Sequence, residues 1–514
     1  METRMADVSS QGSQPATAVQ TDAGNQLAKG RLRVADAVGQ SIGLLALIMA
    51  LAITTGGVAA FAGPAAPLAY LIAGLGSLCL AYVFIRFTRS MASAGSIYTY
   101  VAKGLSPEFG FIGGWLYAGA FAFGVSFTLA IAALYASTFL GDINVTVSWF
   151  PIFLVGVVLL FLFAFFDIRV STRTQLVVTA IGLIAVLVVV FAILFKGGAS
   201  GLSADPFSPG GVSGGFSSLF VAVIFGFTAF GGFEAAATLG EETSNPRRAI
   251  PLAILVAILV AVVFFILTTY AFSVGYGATP KGAGAWASDP APLDTLSKQY
   301  VGGWLATVLD LMVAIDAFIA SLAGLNLASR VLFSMGRDRG VPSVFGRSHP
   351  RFKSPWIAIL FILVITVILG SWPGNVMNSI SPAPPSQQPP APLPFVLFMA
   401  ATATLGILGA YILTGISGLV FYQRNKEGKG LQVIWQILLP VIAVLIVGAA
   451  LFSSIYPIAP APPLVAPLSY APYIFGVWLL LGIILVVVLR VVNPASVSKF
   501  GQIVASGEEA KEAV

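Results

Sequence analysis

The sequence predicts an all-α integral membrane protein with twelve transmembrane helices, and three observations carry that prediction. Of 514 residues, 58% are hydrophobic and 9% are charged, against about 25% charged in an ordinary soluble protein. The apolar residues gather into twelve continuous runs near the ~20 residues that a bilayer demands. The basic residues alternate between the two ends of those runs with a strong bias. A mean hydropathy of +0.95 excludes a soluble enzyme, a disordered chain and a nucleic-acid binder, because no soluble fold of this length can hide so much apolar surface. Continuous rather than alternating runs call for helices and not a barrel.

The spans follow in order. Residues 1 to about 30 are rich in Ser, Thr, Gln and Ala and read as a disordered tail with no signal-peptide pattern. The runs are predicted at 38–62, 66–85, 110–140, 150–167, 173–196, 216–239, 250–276, 303–329, 355–372, 394–422, 432–454 and 471–490. The end from Asn493 is polar again. Two loops, Ser381 to Pro394 and Pro457 to Pro472, are proline-rich and read as stiff extended caps.

Orientation follows from charge. With the N-terminus inside, all of the 26 basic residues except Lys196, Lys281 and Lys298 fall on the inner side. The bias holds at every loop, so it supports both the count of twelve and cytoplasmic termini in the cell membrane. The pI of 9.3 therefore reflects a bilayer and not nucleic acid. One cysteine, Cys79, and one histidine, His349, cannot build a disulfide framework, a zinc site or a haem site.

Charges inside the runs are the informative residues, since each costs about 2.5–3.5 kcal/mol even on lenient insertion scales. Glu234 ends the stretch Gly226-Phe227-Thr228-Ala229-Phe230-Gly231-Gly232-Phe233-Glu234. Two adjacent glycines weaken a helix by roughly 1 kcal/mol each and let its backbone open. Such an opening is tolerated where it lines a cavity, and half-helix ends then make ion and substrate sites. Close packing of a small-residue face is the other reading of those glycines. Phe227, Phe230 and Phe233 flank the opening, where one could cap a substrate. Asp316 precedes Arg330 by 14 residues, or ~21 Å of helix, which puts it at mid-membrane depth. Asp310 lies nearer the outer surface and reads as a solvated or vestibule residue. Tyr98, Tyr100, Trp115 and Trp304 lie near predicted helix ends and read as interfacial belts.

Four stretches, taken in order, resemble the amino acid–polyamine–organocation transporters over about 34–430. They are Ala62-Gly63-Pro64-Ala65-Ala66; Ala94-Gly95-Ser96-Ile97-Tyr98-Thr99-Tyr100-Val101 with Phe109-Gly110-Phe111-Ile112-Gly113-Gly114-Trp115; Phe230-Gly231-Gly232-Phe233-Glu234 with Glu241-Glu242 and Asn245-Pro246-Arg247-Arg248-Ala249-Ile250-Pro251; and Ser329-Arg330-Val331-Leu332-Phe333-Ser334-Met335-Gly336-Arg337-Asp338 with Pro342, His349 and Pro350. The resemblance implies a leucine-transporter-type fold. Spans 1–5 and 6–10 would be inverted repeats within a core at 34–430. Spans 11 and 12 at 431–492 would be peripheral, between cytoplasmic tails at 1–33 and 493–514. Spans 1 and 6 would be unwound at mid-membrane, with free amides for a substrate carboxylate. The substrate-binding residues so implied are Ile48, Met49, Ala50, Phe227, Phe230, Gly231 and Gly232, joined by Asp316, with Glu234 as a gating or coupling residue.

This chain departs from the family pattern at three places. Ile48-Met49-Ala50 aligns where a Gly-x-Gly break is usual, Arg86 where an acid is usual, and Gly182 near a lysine that some proton-dependent or sodium-independent members carry. The coupling ion therefore stays open between proton and sodium, with no other cofactor expected. The expected function is secondary transport of a small-molecule amino acid or related amine. A polyamine or cationic amino acid carrier is the alternative, for which Asp316 and Glu234 would serve as counter-charges. A membrane enzyme would need a polar catalytic cluster, and the outer loops offer Asp142, Asp205, Asp289 and Asp294 with no histidine. An ion channel would show repeated pore segments, and none is visible.

Overall fold

A computed structural model describes residues 27–166, 168–212, 214–371, 392–424, 431–457, 459 and 464–501. The expectations for 1–26, for 502–514 and for most of the loop from Ser381 to Pro394 lie outside the described residues, as does the core boundary at 430. Within them the chain is helical, and its one extended pairing is an isolated parallel bridge between Leu32 and Thr243. Nine helical stretches are long and apolar enough to cross a membrane; the first, Val34–Ser90, runs through three helices. Two shorter apolar helices, Gly215–Thr228 and Trp356–Ser371, join them.

Helices α1 (Val34–Leu45) and α2 (Leu47–Ala62) lie end to end. After them come α3 (Ala66–Ser90), α4 (Ile97–Gly104), α5 (Pro107–Asp142), α6 (Trp149–Phe166) and α7 (Ile168–Phe195). The chain continues through α8 (Gly215–Thr228), α9 (Pro246–Tyr276), α10 (Pro280–Ser288), α11 (Pro292–Tyr300), α12 (Gly303–Arg337) and α13 (Trp356–Ser371). The last long helices are α14 (Leu393–Arg424), α15 (Leu431–Ile455) and α16 (Ala471–Val492). Proline opens many of them. Pro107, Pro246, Pro280 and Pro292 each stand at a helix start, where a missing N–H is no loss.

Helix α5 is the centre of the bundle, packed on α12, α14, α4 and α6. Its glycines and alanines permit close approach: a Cβ at Gly114 would press on Tyr98, and one at Gly119 on Trp478. The rim is different. Helices α15 and α16 expose Leu445, Leu480, Val487 and Val491, a surface that only lipid can cover.

Several elements depart from the sequence reading. Helix α12 continues to Arg337 instead of stopping near 329, because Arg330 and Arg337 are paired with acids and need not leave the helix for water. Helices α10 and α11 fill a connection read as loop. Tyr98 and Tyr100 are buried rather than interfacial. The Tyr98 hydroxyl donates to Asp338 at 2.6 Å, and the Tyr100 ring stacks on Phe87. Trp115 stacks on Trp478 with centroids 4.3 Å apart. Asp310 is buried and not solvated.

Candidate functional site

Two helix interruptions meet at the heart of the bundle. The first is a single residue. Ala46 takes a left-handed conformation, φ 48° and ψ 56°, between α1 and α2. That conformation costs a non-glycine residue about 1–2 kcal/mol, so its surroundings must hold it. They do so through a charge. The N–H groups of Ile48 and Met49, left without partners by the start of α2, donate to Oδ2 of Asp316 at 2.9 and 3.0 Å. A carboxylate is the group that a helix N-terminus favours. Asp316 reaches over from α12, fully buried. The buried hydroxyl of Thr179 on α7 lies beside the Asp316 carboxyl group.

The second interruption is longer. Helix α8 ends at Thr228, the chain turns through Ala229 to Glu234, and a short 3-10 helix runs over Ala235–Leu239. Gly232 has φ +103°, a conformation glycine adopts freely. A Cβ there would come within 2.8 Å of Leu44 Cγ and 3.1 Å of the Leu44 carbonyl carbon. The absent side chain thus lets the two interruptions touch. The Ala236 N–H donates to Ser41 Oγ at 3.0 Å, a second tie between them.

Glu234 closes this turn. It is wholly buried, and both oxygens accept from tyrosines: Tyr117 of α5 on Oε1 at 2.7 Å and Tyr411 of α14 on Oε2 at 2.6 Å. The Tyr411 oxygen also accepts the Gly232 N–H at 3.3 Å. Glu234 therefore joins the turn to two other helices.

A cavity of about 190 Å³ lies where the interruptions meet α5, α12 and α14. Its wall is mostly Leu, Ile, Ala, Val and Phe, with the hydroxyls of Thr54, Thr128, Thr228 and Thr404, and no charged side chain lines it. Toward the basic end of the bundle, ion pairs follow. Arg330 lies six residues past the cavity-lining Gly324, or ~9 Å along the helix. Its guanidinium meets Glu242 at 2.6 and 3.2 Å, with both side chains buried. Arg337 meets Glu241 at 2.9 and 2.5 Å. Such two-point pairs fix geometry as well as charge, and removing one partner of a buried pair costs about 3–5 kcal/mol. Beyond the helix end, Asp338 accepts from Tyr98 and from the Gly501 N–H at 2.7 Å. Burial pushes its carboxyl up to about 6.

Of the residues singled out from sequence, Met49, Ala50 and Gly231 line the cavity. The interruption of the first span falls at Ala46, and Ile48, Met49 and Ala50 lie in the first turn of α2. The Ile48 side chain packs where Gly182 leaves room on α7. Phe227 and Phe230 are buried off the cavity wall, and Phe230 sits edge-on to Phe265 at 5.3 Å. Gly232 faces Leu44, and Asp316 faces the α2 amides instead of the cavity. Sequence reasoning passed over Ala46, Tyr117 and Tyr411. Alanine carries no signal of a left-handed turn, and a tyrosine in an apolar run shows nothing of its partner. The Glu241–Arg337 and Glu242–Arg330 pairs had a signal, acids and arginines within quoted motifs, but the pairing spans some ninety residues.

Residues 37–493 match the amino acid permease family. Among curated relatives, the branched-chain amino acid permease BcaP of Bacillus subtilis is 26% identical over 62% of this chain and 70% of its own length. The low-affinity putrescine importer PlaP of Escherichia coli K12 is 28% identical over 74% of this chain and 79% of its own. The methylthioribose transporter of Bacillus subtilis is 26% identical over 59% of this chain and 67% of its own.

Proposed function

The chain belongs to the amino acid permease family, a family of transporters and not of enzymes, and on that premise we propose that it moves an amino acid or related amine across the cell membrane by alternating access. The observation that carries this reading is the cavity at the junction of two helix interruptions. Half-helix ends at mid-membrane are the recurring way in which secondary transporters hold a small polar solute in an apolar bundle.

In this reading α1 with α2, and α8 with the turn after it, are the broken first and sixth of twelve spans. The first ten form a 5+5 inverted repeat, and α15 and α16 stand outside it. Glu234 acts as a gate or coupling residue: Tyr117 and Tyr411 hold its carboxylate in one state and release it in the next. A proton or a sodium ion drives the cycle. The charge bias supports cytoplasmic termini, so a reporter fused at residue 380 should appear outside the cell and one at 427 inside; the reverse would overturn the orientation.

The relatives' names span a carrier of amino acids, one of a diamine and one of a sugar derivative, so membership alone does not choose the substrate. A polyamine has a second ammonium group to neutralise. The absence of any acid from the cavity wall weighs against that reading. Uptake of radiolabelled amino acids and amines into proteoliposomes, with and without proton or sodium gradients, tests the proposal. No accumulation of any of them would refute it.

A further inference from the structure

We propose that the transported solute is a monoamine with an apolar body and no free carboxylate, because the protein's own Asp316 already fills the amide cradle that a substrate carboxylate would need. This inference rests on the transport reading above and narrows it.

The cavity is rich in acceptors and poor in donors. Helix α8 ends at its wall, which Thr228, Ala229 and Gly231 line. A helix C-terminus carries the negative end of the helix dipole and so favours a cation. Three of the four lining threonines have their only proton taken up within the protein: Thr228 by Phe225 at 2.7 Å, Thr54 by Ala50 at 2.7 Å or the Tyr70 hydroxyl at 3.0 Å, and Thr128 by Gly124 at 2.9 Å or the Ser321 hydroxyl at 2.8 Å. Each then offers only lone pairs to a ligand. An ammonium group finds partners throughout.

A carboxylate does not. Several nearby donors are already engaged, and of the lining hydroxyls only that of Thr404 has no such bond among the described residues. The Ile48 and Met49 amides go to Asp316, the Gly231 amide to the Thr228 carbonyl and the Gly232 amide to Tyr411. The tyrosine hydroxyls go to Glu234. A second carboxylate at the start of α2 would also meet the charge of the first, and like charges set side by side oppose binding. Asp316 stands one hydrogen bond behind Met49, which lines the cavity, so it acts on a bound ammonium from behind the wall. The wall itself holds no acid among the described residues, so nothing in it neutralises a second ammonium.

The test uses the full-length protein in proteoliposomes, with uptake and competition measured for matched pairs: leucine with isoamylamine, valine with isobutylamine, phenylalanine with phenethylamine. Leucinamide serves as the control that keeps the size of leucine and removes its negative charge. The amine of each pair should bind about 10- to 100-fold more tightly than the amino acid, as expected when a charged group is left without donors. Leucinamide should follow isoamylamine. Equal or tighter binding of the amino acids would overturn this inference and leave the transport reading standing. Leucinamide as weak as leucine would overturn the charge argument. Uptake of neither class would overturn the transport reading itself. Asp316→Ala, which empties the cradle, should shift the ratio toward leucine by ~10-fold; an unshifted ratio in a folded variant counts against the proposal. The wild-type pairs decide the matter if that variant does not fold.

Discussion

At Ala46 the chain leaves the helix for one residue, while after Thr228 six residues pass before a tighter helix begins. The first interruption contains no glycine and is held by an acid from a distant helix, Asp316. The second is built on Gly231 and Gly232 and contains its own acid, Glu234, held by hydroxyls from two other helices. One break brings its donors to a foreign carboxylate, and the other carries its carboxylate to foreign donors. The pairing at the first break joins a helix start to a charge, an arrangement suited to permanence. The pairing at the second joins a carboxylate to two neutral hydroxyls, which water can replace once the site opens to it.

Substitutions at the two breaks and at their partners test that contrast, and one at Asp338 probes a site away from both. The largest effect belongs to Gly232→Leu. The backbone at +103° disfavours leucine by about 1–2 kcal/mol, and the new side chain would press on Leu44 for a further ~1–3 kcal/mol. We expect a large fall in melting temperature and loss of ligand binding in purified protein, whereas Gly231→Ala, whose Cβ would meet only the Thr228 carbonyl oxygen at 3.4 Å, should melt near wild type. Equal tolerance of both would mean that the interruptions do not depend on touching.

Asp316→Ala comes next. It leaves two buried amides without an acceptor, at about 1–3 kcal/mol each. Asp316→Asn keeps an acceptor and loses only the charge, so calorimetry should rank alanine below asparagine and both below wild type. The reverse ranking would remove Asp316 from its role at Ala46.

Glu234→Gln should change stability less and turnover more. Glutamine presents one acceptor where the two tyrosines need two. We expect the maximal rate of uptake or its pH dependence to change while apparent affinity holds. Tyr411→Phe should be more damaging than Tyr117→Phe, because Tyr411 also receives the Gly232 amide. Unchanged uptake at every pH would count against Glu234 as a gate.

The smallest effect lies away from both breaks. Burial raises the Asp338 carboxyl to about 6, so the folded protein binds this proton more tightly than the unfolded chain does. Its contribution should therefore fall as pH rises from about 4 through 6 and level off above. Asp338→Asn keeps an acceptor for Tyr98 and Gly501 and should flatten that slope, by a degree or two in melting temperature, on the order expected for ~1 kcal/mol in a chain of this size. An unaltered slope would place the titration elsewhere.

Residues that violate the apolar rule were readable in the sequence, and residues that obey it were not. Glu234 after Gly231-Gly232 is an anomaly in an apolar run, and the chain does leave the helix there. Asp316 stood out for the same reason, and helix rise alone set its depth. Its partners did not show, since they are backbone amides 267 and 268 residues away. Arg330 and Arg337 looked like loop anchors because sequence gives a charge its cost but not its partner. Ala46 looked like ordinary helix, because nothing in an alanine records a left-handed turn imposed from outside.

By itself the sequence determined that this protein is a bundle of apolar helices, where its basic residues gather and which two acids lie deep inside. Those properties depend on the transfer of each side chain from water to lipid, which is nearly a sum over residues. Tertiary structure alone decided which carboxylate meets which donor, where the first helix breaks and which residues line the cavity. Hydrogen bonds depend on ångström-scale distances between groups hundreds of residues apart, and only the packed bundle sets those distances.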